Sequence, residues 1–132
     1  VRGGDNRMIV FELKGQIRGG KNHVQITRTG HRYPNPAFVE WRDGAIAQIR
    51  QQHVFNHYGV DRTIKTPAHV TVRYWSGDKR RRDVPAMIDA LWHVLERGGF
   101  VEDDALLENV FWTHMGYDKT NPRIQVVMEV LA

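Results

Sequence analysis

Cysteine is absent from the 132 residues. Its absence excludes thiolate nucleophiles, thiolate zinc sites and any disulfide framework, and it fits a reducing compartment. Long apolar runs are absent too: none approaches the roughly 20 residues that span a bilayer. The polar, glycine-rich start from Val1 to Arg7 has no apolar segment of the kind that marks a secretory signal. A cytoplasmic protein with no membrane partner is therefore expected, with residues 1–7 as a flexible tail. Neither GxxxxGK[ST] nor GxGxxG occurs, so no nucleotide cofactor is expected. The seven histidines form no HExxH or HxH pattern, and His53 with His57, spaced i,i+4, lacks a third ligand for zinc.

What is present is ordinary globular material, 41% apolar and 26% charged. A chain of this length fits one domain over residues 1–132, which would bury roughly two-thirds of its unfolded surface. Charge is divided unevenly. Up to Arg82 the chain carries 16 Lys and Arg against 6 Asp and Glu, and beyond it 3 against 9. The net +4 is thus +10 followed by −6. A basic region suggests a polyanionic partner, whereas the acidic remainder raises the question of what its carboxylates hold.

Alternation of Ile9, Phe11 and Leu13 predicts a strand over Met8 to Lys14, followed by a basic glycine-rich loop from Gly15 to Asn22. Val24 to Arg28 and His31 to Tyr33 predict a hairpin turning at Gly30. Asn35 can cap a helix with Pro36 in its first position, and Phe38, Trp41, Ala45, Ile46, Ile49 and His53 continue its buried stripe to about Phe55. Tyr58 to Pro67 reads as a linker and Val70 to Trp75 as a strand. Asp83 and Pro85 open a second helix, which buries Ile88, Leu91, Trp92 and Leu95 and ends at Gly98-Gly99. Leu107 to Met115 and Arg123 to Leu131 predict two further strands joined by a turn. The expected fold is α+β: a single two-layer domain, with a mixed or antiparallel sheet and both helices on one face.

The chemistry concentrates between Lys79 and Asp104. Lys79, Arg80, Arg81 and Arg82 are four consecutive cations that repel unless an anion screens them, which suits phosphate. Arg18, Lys21, Arg28 and Arg32 could add further phosphate contacts. Asp83 is a natural N-cap, a role that needs no other purpose. Asp89 is i,i+4 from Pro85, on the flank of the apolar face, and Glu102-Asp103-Asp104 follow the helix. If the next strand lies beside the one ending at Trp75, that loop returns near Asp83. Asp83, Asp89 and Asp104 are then the candidate catalytic acids, and with Asp103 the candidate metal ligands. Three carboxylates within about 5 Å would repel unless a cation binds, and hard oxygen donors suit Mg2+ or Mn2+. Trp75 is the best candidate for base stacking.

From about Val70 to Leu131 the chain resembles the RusA family of Holliday junction resolvases. The similarity is sharpest over Asp78-Lys79-Arg80-Arg81-Arg82-Asp83, the helix Met87 to Leu95, and Gly99 to Ala105. The family pattern is a basic run ending in Asp, a second Asp two positions on followed by Asn, a Lys four beyond, and an Asp-Asp pair after the helix. Pro85 stands at the second Asp, Ala86 at the Asn and Asp89 at the Lys. The resemblance implies a RusA-like fold, Asp83 and Asp104 as metal ligands with Asp103 beside them, and a homodimeric, magnesium-dependent endonuclease acting on four-way DNA junctions, of phage or prophage type. Asp89 is our own substitute for the carboxylate missing at Pro85. The opposing expectation is a non-catalytic branched-DNA-binding module, with Asp83 only a cap.

Overall fold

The computed structural model describes residues 6–19 and 24–132. Its main sheet has four strands, β1 (Arg7–Lys14), β6 (Ala68–Ser76), β7 (Leu107–Tyr117) and β8 (Arg123–Val130), in the spatial order β1-β8-β6-β7. β8 runs antiparallel to both its neighbours, whereas β6 and β7 are parallel. Two small ribbons lie outside it: β2 (Val24–Ile26) with β3 (Arg32–Pro34), and β4 (Asn56–His57) with β5 (Val60–Asp61). Helices α1 (Pro36–Gln52) and α2 (Val84–Arg97) complete the fold. This is the expected α+β domain with a mixed sheet.

Alternation dictates the layering. Ile9, Phe11 and Leu13 of β1, the even-numbered residues 124–130 of β8 and the even-numbered residues 68–76 of β6 share one face, and all are buried. Ala45, Ile46 and Ile49 of α1 and Met87, Leu91, Val94 and Leu95 of α2 close that face into one core. The reverse of the sheet leaves Met8, Val10 and Phe111 exposed.

Several local expectations meet small corrections. Asn35 caps α1 through its side chain, which accepts from the Ala37 amide, and Pro36 is the first helical residue. The helix stops at Gln52, earlier than Phe55, because His53 turns into the left-handed region (φ 53°) and is exposed. The expected linker from Tyr58 to Pro67 contains β5, which pairs with β4 just before it, and Ile64 bridges to Val101. Arg7 is not part of a free tail: it pairs with Val130, and its guanidinium donates to the Phe55 carbonyl at 2.7 Å. Residues 1–5 lie outside the described residues.

Two corrections bear on the site. The buried face of α2 is Met87, Ala90, Leu91, Val94 and Leu95, with Ile88 and Trp92 only half-buried. At about 100° per residue, Asp89 therefore lies nearly opposite the core stripe and not on its flank. The second concerns β6 and β7, which are neighbours as expected, but parallel. A strand, a helix and a second parallel strand form a crossover, so the helix returns the chain to the sheet end where β6 began. Ala68 accordingly pairs with Leu107 and Ser76 with Tyr117. The loop before β7 is at the far end from Asp83.

Candidate functional site

The two ends of α2 hold the chemistry. At its N-terminal end Asp83 is the N-cap, its carboxylate accepting from the Ala86 amide at 3.3 Å. The loop before it is ordered by Asp78, which accepts from the Arg80 amide at 2.9 Å and from the Arg82 guanidinium at 2.8 Å. These two hydrogen bonds, with the charges of Arg82 and Arg80, hold the Asp78 carboxyl below the ordinary carboxylate range. Arg80 and Arg81 are exposed, and Lys79 lies over the Tyr117 ring at 5.7 Å.

Beside this loop runs a cleft of about 730 Å³, lined by Gln16 to Gly19, one face of α1 including Glu40 and Trp41, and Asp78, Arg80 and Arg82. The side-chain Oε1 of Gln16 accepts from the Gly77 amide at 3.0 Å, which fixes the β1 loop to the end of β6. Gly19 seats that loop on α2, since a Cβ there would come within 3.2 Å of the Ala86 Cβ. Of the eight candidate phosphate contacts the fold thus gathers Arg18, Arg80 and Arg82 into one cleft. Lys79 and Arg81 flank them in sequence without lining it. Arg28 and Arg32 belong to the β2–β3 ribbon, where no residue from Val24 to Pro34 is buried. Lys21 lies outside the described residues.

At the C-terminal end, Glu96, Asp103 and Asp104 bring one carboxylate oxygen each within 4.8 Å of one another. This is the one such group among the described residues. The Asp104 amide donates to Glu96 Oε2 at 2.9 Å, and Asp103 caps a short 3-10 turn, accepting from the Ala105 amide at 2.9 Å. The preceding loop is pinned by Ile64, whose amide donates to the Phe100 carbonyl and whose carbonyl accepts from Glu102. Glu96 and Asp103 are exposed and Asp104 is half-buried, so water and an ion can reach all three. Hard oxygen donors of this number and charge are of the kind that can hold a divalent cation such as Mg2+ or Mn2+.

The expected grouping of Asp83, Asp89 and Asp104 is not formed within one chain. The 14 residues of α2 separate Asp83 from the acidic group by about 20 Å. Asp89 is six residues from Asp83, a rise of about 9 Å, and it is not a member of the acidic group. Glu96, which the sequence reading missed, follows Asp89 by seven residues, two turns along the same helical face. That face carries a carboxylate to Asp104, but from the last turn of the helix.

Other arrangements are structural. Ser76 shares a hydrogen bond of 3.0 Å with His114, yet Ser76 is 3% exposed, so the pair ties β6 to β7 and presents no nucleophile. Trp75 is half-buried with the Arg123 guanidinium 3.9 Å above its ring, which occupies the face a base would use. Among the described residues no helix is long and apolar enough to cross a membrane. The chain matches no protein-family model and no curated protein.

Proposed function

We propose that this chain is a metal-dependent endonuclease that binds branched DNA, four-way junctions above all, and hydrolyses its phosphodiester backbone as a homodimer. The observation that carries the reading is a cation-lined cleft beside the loop that precedes α2 together with three carboxylates gathered at its C-terminal end, one of them from the helix itself. Arg18 and Arg80 hold the backbone electrostatically, selecting shape more than sequence. Asp104, Asp103 and Glu96 would hold Mg2+, with Mn2+ able to take its place. An ion held there would supply polarisation of the phosphate, activation of a water and charge neutralisation at the leaving oxygen, which would leave no need for a protein nucleophile.

A homodimer is part of the proposal because of the substrate and not because the metal site needs it, since Glu96, Asp103 and Asp104 come together within one copy. A four-way junction has approximate two-fold symmetry, and such a dimer offers it two equivalent sites.

The test is cleavage of a labelled four-way junction beside linear duplex of the same sequence, with magnesium, manganese or chelator. Metal-dependent paired incisions are expected in the junction, falling about a hundredfold or more in Asp104→Asn, in line with the several kcal/mol a metal supplies to the transition state. Binding should survive that change, since it removes negative charge near DNA. Arg80→Ala should instead weaken binding and lower the salt dependence by about one counterion. Unchanged cleavage in Asp104→Asn overturns the assignment. A second reading, a non-catalytic branched-DNA-binding module, draws on the capping role of Asp83 and on Pro85, which offers no ligand. Tight junction binding without incision under any metal favours it.

A further inference from the structure

The cleft beside α2 holds more than phosphate ligands. Gln16 uses its oxygen on the Gly77 amide, while its Nε2 is buried with no partner. A buried donor without an acceptor is costly, and this one belongs to a residue that lines the cleft. The cleft is also lined by Trp41 and, one residue before it, by the exposed Glu40. Arg18 and Arg80 line it too, exposed and without an ion pair among the described residues, as does Arg82, which is held by Asp78. An aromatic face, a donor, an acceptor and cations around a space of about 730 Å³ match the parts of a nucleotide.

Resting on the DNA-binding reading above, we propose that this cleft receives one unpaired nucleotide of the bound DNA, turned out of its stack. Its phosphate lies on Arg18 and Arg80, its base against Trp41, and its hydrogen-bonding edge between Gln16 Nε2 and the Glu40 carboxylate. A paired base hides that edge, so the cleft selects DNA with an unpaired position and takes up a nucleotide most readily where pairing is already broken. A fully paired duplex can use only the cations.

The experiment compares duplex DNA with the same DNA carrying a single-nucleotide bulge, each with 2-aminopurine at the test position, using the full chain. The bulged DNA should bind about tenfold or more tightly than the duplex, the worth of one base stacked on an aromatic ring. Emission of 2-aminopurine should change on binding in the bulged DNA only. Trp41→Ala and Gln16→Glu should each bring the affinity ratio close to one with a folded circular-dichroism spectrum retained; the first lowers the melting temperature because Trp41 also packs on Phe38 and the core, and the second keeps the oxygen that Gly77 uses and removes the donor. Equal binding of bulge and duplex by the unaltered chain, or variants that keep the preference, would overturn the proposal. If junctions are bound and cut while that ratio is one, the nucleotide site fails and the endonuclease reading stands; if no DNA is bound, both fail. A free deoxynucleoside monophosphate bound as tightly as the bulged DNA overturns the assignment to a nucleotide within a polymer.

Discussion

The two ends of α2 are built from the same run of sequence and differ in what their charges do. At the N-terminal end opposite charges are paired within the loop: Asp78 engages the Arg80 amide and the Arg82 guanidinium, and Asp83 engages the helix. Those acids are committed to the fold. At the C-terminal end three like charges are brought together by the backbone, with Asp104 hung on Glu96 through its amide and Asp103 fixed as a turn cap. These carboxylates gain nothing from one another in the absence of a cation. The contrast teaches that an acid at a helix start is explained by capping, while a convergent set at a helix end is assembled by the backbone and has no capping role to account for all three of its members.

The largest effect that sharpens this contrast is stabilisation by the metal alone, read without any DNA. A cation that binds the folded chain adds about 2.7 kcal/mol at one hundred times its Kd, enough to raise the melting temperature by several degrees. Magnesium should therefore raise the melting temperature of the unaltered chain and leave Glu96→Gln nearly unmoved, since that change removes a ligand and keeps an oxygen for the Asp104 amide. Equal shifts in both would place the ion elsewhere and erase the difference between the ends.

A smaller effect works in the opposite direction when metal is withheld. Asp83→Ala removes an N-cap and should cost about 1 kcal/mol in urea denaturation. Glu96→Gln, which relieves like-charge repulsion, should leave stability unchanged or raised under the same conditions. If Asp83→Ala is neutral and Glu96→Gln destabilises, the division into structural and ligand-binding acids is reversed.

The caps at Asn35 and Asp83 were legible because a cap is local: the residue, the turn it closes and the proline beside it lie within four positions. The two-layer class was legible for the same reason, since the alternation in β1, β6 and β8 needs no partner to be read. Asp103 and Asp104 were found, but their companion was not, because the crossover sense decides which helix end they meet. Parallel pairing of β6 with β7 turns a neighbour of Asp83 into a neighbour of Glu96. A strand, helix and strand in succession already imply that pairing, so the signal was present in the element order. The face of α2 was misjudged by weighting Trp92 and Ile88, whose bulk exceeds their burial, above Met87, Ala90 and Val94. Nothing in the run itself distinguishes Arg80 from Arg81; the tertiary seating of the β1 loop beside α2 is what brings Arg18 to the cleft that Arg80 lines.

The finest distinction between the ends is in acid. Hydrogen bonds from the Arg80 amide and the Arg82 guanidinium hold the Asp78 carboxyl below its ordinary value near 3.8. A carboxylate whose pKa is lower in the folded chain than in the unfolded one adds stability above the unfolded value, and that contribution is lost as pH falls through the folded one. Asp78→Asn should thus melt below the unaltered chain at neutral pH, and the two melting curves should converge as pH drops below about 4. Asp78 is open to solvent, so the gap should be narrower than that caused by Asp83→Ala and should shrink with added salt. A gap that persists unchanged into acid would assign the role of Asp78 to the shape of its loop and not to its charge, and the two ends of α2 would then differ less in electrostatics than in backbone geometry.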